Sequence, residues 1–67
     1  MYVITVFDKK NKLINNEKFK VVLDRLSTES LTMLRFYKNE FIKKYKNKEV
    51  VITTKQKTNK GWIEINI

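Results

Sequence analysis

The clearest hydrophobic pattern lies in the middle of the chain. Leu31, Met33, Leu34, Tyr37, Phe41, Ile42 and Tyr45 recur at spacings that gather them on one broad side of a helix. Ser27 suits an N-cap, and Leu26 with Leu31 has the spacing of a hydrophobic staple around it. Glu29 would sit in the first turn, and Lys43, Lys44 and Lys46 in the last, as the helix dipole favours. The pattern predicts a helix from Ser27 to about Lys46, with Asn47 as the left-handed residue that closes it.

The flanking segments alternate instead. Tyr2, Ile4 and Val6 point to one face of a strand over 1–7, and Val3, Thr5 and Phe7 to the other. Asp8 to Lys12 reads as a polar turn, and Leu13 with Ile14 as a short return strand. Residues 15–26 fit two templates. As a strand, Phe19, Val21 and Leu23 share a face; as a helix, Phe19, Val22, Leu23 and Leu26 do. The β-branched neighbours favour a strand at about 18–24. Beyond the helix, 49–55 is β-branched and alternating. In 62–67, Ile63, Ile65 and Ile67 face in, while Trp62, Glu64 and Asn66 face out. Residues 56–61 form the hairpin loop between them, with Asn59 and Gly61 able to take positive φ.

The expected order is β-β-α-β-β, or β-β-α-α-β-β if 15–26 is helical. Both are two-layer α+β domains, an antiparallel sheet of about four strands crossed by one long helix. One helix covers one sheet face, so the other is left for solvent or a ligand.

Composition narrows the chemistry. At 67 residues the chain is one domain, 1–67, with a small core. It has no cysteine and no histidine, so neither disulfides, thiolate metal sites nor a histidine base are available. A single glycine excludes a glycine-rich phosphate loop. Ser27 and Ser30 are better read as a capping serine and its neighbour at the start of the helix than as nucleophiles, since nothing would activate them. No metal, no cofactor and no enzymatic activity are expected; a toxin-like ribonuclease built from Lys, Tyr and Glu is the weaker alternative. The apolar start stops at Asp8, too early for a signal segment or a membrane span, which gives cytoplasmic as the expected compartment. The Lys/Asn/Ile-rich, alanine-free composition suits an AT-rich genome and an accessory factor of a phage or mobile element.

Charge is the remaining signal. Thirteen lysines and two arginines face seven acids, a net charge of +8. Residues 27–48 carry six cations against two acids, the densest positive segment. The polar side of the helix presents Arg35, Asn39, Lys43 and Lys46, with Phe36 at its edge, a set suited to a phosphate backbone. A second surface is the open sheet face. There Trp62, joined by Tyr2 or Phe7 and flanked by Lys55, Lys57 and Lys60, would form a platform on which bases stack. The excess of lysine over arginine points to phosphate-dominated binding with little sequence preference. The leading expectation is a non-catalytic nucleic-acid-binding protein acting on DNA or RNA. The alternative is a modulator that docks on an acidic partner protein. A homodimer anchored by Trp62 is expected ahead of base stacking on this face, because pairing two sheets would relieve the shortage of core. The aromatic signature of the common RNA-recognition sheet and the GxxG loop of another RNA-binding fold are both missing, and the element order differs from ribbon–helix–helix repressors.

Overall fold

A computed structural model describes residues 1–67. Six strands and one helix follow in the order β1 (Tyr2–Asp8), β2 (Lys12–Ile14), β3 (Glu17–Phe19), β4 (Val22–Thr28), α1 (Leu31–Lys44), β5 (Val50–Thr58) and β6 (Gly61–Glu64). Four strands make one sheet in the order β4-β1-β5-β6, antiparallel at every pairing, while β2 and β3 pair only with each other. The α+β class, with one helix on a four-stranded antiparallel sheet, is as expected.

The segment between β1 and the helix is arranged differently. Leu13 and Ile14 do not return along β1. They pair with Glu17 and Lys18 across a two-residue turn at Asn15 and Asn16, whose φ values are 51° and 64°. Asparagine tolerates the left-handed region, so the Asn-Asn pair supplies the positive φ at both centres that the favoured hairpin turn needs. The place beside β1 belongs to β4. No helix forms in 15–26; the stretch holds a turn, β3 and the first part of β4. Its failure to fit one period has a local cause. Val6 opposes Asp24 but Phe7 opposes Val22, a β-bulge with Leu23 as the extra residue. Leu23 packs on the core, and Asp24 reaches helix residues Lys44 and Tyr45 at 2.8 and 3.2 Å, so two successive side chains serve the helix side.

The helix starts three residues later than the staple predicts. Tyr2 to Ile4 of β1 pair with Leu26 to Thr28, which keeps Ser27 in the strand. The cap is Ser30, whose Oγ accepts from the Met33 amide at 3.3 Å, while Thr28 Oγ1 accepts from the Ser30 amide. Glu29 lies ahead of the helix and meets the Met1 ammonium at 3.2 Å. The helix ends at Lys44, with Tyr45 as its C-cap, so Lys46 and Asn47 fall outside it and Asn47 does not take positive φ.

The helix touches the sheet along a narrower line than its apolar side suggests. Leu34 and Phe41 are buried against Ile4 and Val6; Tyr37 and Tyr45 pack partly; Leu31, Met33 and Ile42 remain exposed. At the far edge, Ile65 and Ile67 pack on the core but Ile63 is exposed, and the strand stops at Glu64. The tail is held instead by Thr54, the one buried polar residue. Its Oγ1 donates to the Ile65 carbonyl at 2.6 Å, and the Ile65 amide donates to the Thr54 carbonyl at 2.9 Å. The β5–β6 hairpin is tighter than expected. Thr58 faces Gly61 across Asn59 and Lys60, and only Gly61, at φ 107°, takes positive φ.

Only six residues are buried. The radius of gyration, 13.1 Å, exceeds the roughly 11 Å of a compact chain of this length, because the β2–β3 hairpin stands clear as an arm and nothing covers the second sheet face.

Candidate nucleic-acid interface

Strand register decides which side chains share the uncovered face. In paired antiparallel strands, directly opposite residues point the same way. Ile4 and Val6 lie under the helix, so Val3, Thr5 and Phe7 point away from it. Their partners on β5, Lys55, Thr53 and Val51, do the same, and on β4 so do Ser27 and Arg25. Lys57 follows Lys55 on this face, and β6 adds Trp62 opposite Lys57 and Glu64 opposite Lys55. Glu64 is the one acid in the set.

Two aromatic rings lie on this face, each with a lysine above it. The Lys57 ammonium is 5.4 Å from the Trp62 ring centroid, and the Lys20 ammonium is 5.5 Å from that of Phe7. Trp62 is 43% exposed and Phe7 half-buried. Val3 is only 6% exposed although no helix covers it; its cross-strand neighbours are Lys55 and Ser27, and a lysine stem can roof an apolar neighbour while its charge stays wet. Of the residues expected here, Trp62, Lys55 and Lys57 come together, and Lys60 sits in the turn beside them. Tyr2 does not join: it lies on the helix side and packs against the core.

The expected helical surface is present in part. Arg35, Phe36, Asn39 and Lys43 fall on the outer side of α1, away from the Leu34–Phe41 line. Lys46 is lost from the set because the helix has already ended. Lys43 approaches Glu40 at 3.8 Å, which blunts its charge. Phe36 is exposed, its ring 6.0 Å from that of Tyr37. Arg35 and Asn39 border a shallow recess against Ile67. This surface and the open sheet face lie on opposite sides of the molecule.

Sequence reasoning missed Lys20 and Arg25. The face of Arg25 depends on the bulge, and Lys20 is placed by the link between β3 and β4. Neither leaves a mark in local periodicity.

One pair of charges joins the helix to the sheet. Lys44 donates to Asp24 at 2.8 Å, and the Tyr45 hydroxyl donates to the same oxygen at 3.2 Å. The Lys44 hydrogen bond is the main reason the Asp24 carboxyl is held below its ordinary value and the Lys44 ammonium above its own. This cluster pins the end of the helix to strand β4. No three acidic side chains converge on a point where one metal ion could bind, and no helix is long and apolar enough to cross a membrane. No protein family, characterised protein or solved structure matches the chain.

Proposed function

We propose that this protein is a small, basic, non-catalytic nucleic-acid-binding protein, and that it binds with the open face of its sheet rather than with its helix. The observation that carries this reading is the company kept on that face. Phe7 and Trp62 offer rings to bases, and Arg25, Lys55, Lys57 and Lys20 offer charges to phosphates, against one acid, Glu64. The helix surface is the poorer candidate, since Lys43 has an acidic neighbour and Lys46 has left the helix. Four lysines or arginines with two rings favour affinity over sequence discrimination, because lysine acts as a point charge and every base has a face to stack.

The test uses Trp62, the only tryptophan, as its own reporter. Its emission is followed while duplex DNA, single-stranded DNA and RNA are added at two salt concentrations. Binding at low salt that weakens steeply with added salt supports the reading. An unchanged spectrum, with no retention of any of the three in a filter or gel assay at low salt, ends it.

A second reading, a homodimer through the same face, is favoured by the exposure there of Val22, Val51 and Trp62. Pairing two such faces would bury these side chains but bring like charges together. Sedimentation equilibrium separates the two: a monomer at micromolar concentration excludes the dimer.

A further inference from the structure

We infer that the recess at the root of the β2–β3 arm is a base-binding subsite for single-stranded nucleic acid; this rests on the nucleic-acid reading and narrows its ligand. The recess, about 80 Å³, opens where the arm leaves the uncovered sheet face. Phe7, Val51 and Thr53 from that face form its floor. Lys9 and Asn11, between β1 and β2, and Lys20, between β3 and β4, form its walls. The root is fixed although the arm beyond it pairs only with itself. The Asp8 amide donates to the Val21 carbonyl at 2.8 Å, and the Lys9 amide to the Glu49 carbonyl at 3.2 Å. Asp8, the one acid on the rim, is turned to other work: it accepts from the Lys10 amide at 3.0 Å and meets Lys48 at 3.7 Å.

These groups match a nucleotide in kind. The Phe7 ring is a stacking surface, and Lys20 now rests over it without an anionic partner. A base laid on the ring would displace the ammonium sideways, towards the phosphate the base brings with it. Thr53 and Asn11 supply polar atoms for a base edge. A duplex cannot use this arrangement, since its base faces are already stacked on one another. The second ring lies within one strand's reach. Phe7 stands opposite Val51 and Trp62 opposite Lys57, two strands across, which places them roughly 20 Å apart along the strands and roughly 10 Å across them. Thr53 and Lys55 lie between, so one extended strand would run diagonally from Trp62 to the arm.

The experiment titrates the protein with single-stranded homopolymers of about ten nucleotides, DNA and RNA, and with a matched duplex. Phe7→Leu keeps an apolar side chain but removes the ring, and Lys20→Gln removes the charge. Phe7→Leu is expected to weaken single-strand binding about tenfold while leaving duplex binding and the salt slope alone. Lys20→Gln is expected to flatten the single-strand salt slope by about 0.7. Proton NMR of the unaltered protein serves if Phe7→Leu does not fold: the Phe7 ring resonances should move upfield with single strands. If Trp62→Leu weakens binding but Phe7→Leu does not, or if the Trp62 indole signals move and those of Phe7 stay, the subsite is wrong and the wider reading stands. If the unaltered protein binds none of the three, the wider reading has failed and the subsite with it.

Discussion

The two faces of the central strand β1 begin from similar sequence and end in different physics. Tyr2, Ile4 and Val6 point one way; Val3, Thr5 and Phe7 point the other. On the first side Ile4 and Val6 are wholly buried under Leu34 and Phe41, and the charges nearby are tied together as Asp24 with Lys44. On the second, lysines stand over aromatic rings, and Arg25, Lys55 and Lys57 have no acid within ion-pair distance. An apolar strand face is thus a core only if something is supplied to cover it. The chain supplies one helix, and the face that helix cannot reach carries Arg25, Lys55 and Lys57 beside its rings. On the proposed function, stability and recognition are therefore separable by face.

The largest effect tests the covered side. Leu34→Ala removes a fully buried side chain from a four-residue core and should cost about 2–5 kcal/mol. That is a large share of the roughly 3–10 kcal/mol available to a domain of this size, so the variant should melt well below the parent by circular dichroism. Val51→Thr, on the open face, should stay within about 0.5 kcal/mol of the parent. Equal losses from the two would abolish the distinction between the faces.

Trp62→Leu tests the open side. Melting should barely move, because the ring is exposed, while single-strand affinity should fall about tenfold. A sharper version compares charges. Lys55→Gln with Lys57→Gln should flatten the salt slope by about 1.4 on single strands, whereas Arg35→Gln with Lys43→Gln should leave it unchanged. If the helical pair flattens the slope and the sheet pair does not, binding belongs to the outer side of α1.

How far these faces could be read from the sequence depended on the source of each signal. Alternation in 1–7 and 49–55 and the helical spacing from Leu34 to Tyr45 are properties of single segments, and they placed β1, β5 and most of α1. The outward direction of Trp62 was readable for the same reason, whereas Lys57, expected in the hairpin loop, reaches its face because β5 runs on to Thr58. What could not be read depends on pairing. Ser27 and Ser30 are equally good caps in isolation; the choice was made by Leu26 to Thr28 extending β4 beside β1. The bulge at Leu23 exists only because two strands meet, and it sets the face of Arg25. The apolar side of the helix looked broader than it is because one helix meets a sheet along a line, leaving Met33 and Ile42 outside. The Asn15-Asn16 turn was a local signal, yet it was masked by the expectation that Leu13 and Ile14 return along β1.

The cap gives a smaller test. Ser30→Ala removes the acceptor of the Met33 amide and should cost about 1 kcal/mol, while Ser27→Ala, in the strand, should cost little. Urea denaturation of the two variants side by side gives the answer, and the reverse order would move the start of the helix back to Ser27.

The smallest effect concerns the paired charges of the covered side, and its sign follows from Asp24. The Lys44 hydrogen bond holds the Asp24 carboxyl below its ordinary value, so the folded chain binds that proton more weakly than the unfolded chain does. Stability from this pair is fully present above the unfolded carboxyl value, near 3.9, and is lost as pH falls through the lower folded value. Asp24→Asn should therefore lower the melting temperature slightly at neutral pH and flatten its fall from about pH 5 downward. Lys44→Gln should act in the same direction, since it removes the strongest donor to the same oxygen. The Tyr45 hydroxyl remains in that variant, so its effect should be the smaller of the two at acid pH. Neither change touches the open face, and neither should alter nucleic-acid affinity where both variants are folded. An acid melting profile identical to that of the parent would mean that Asp24 and Lys44 do not hold the helix to β4.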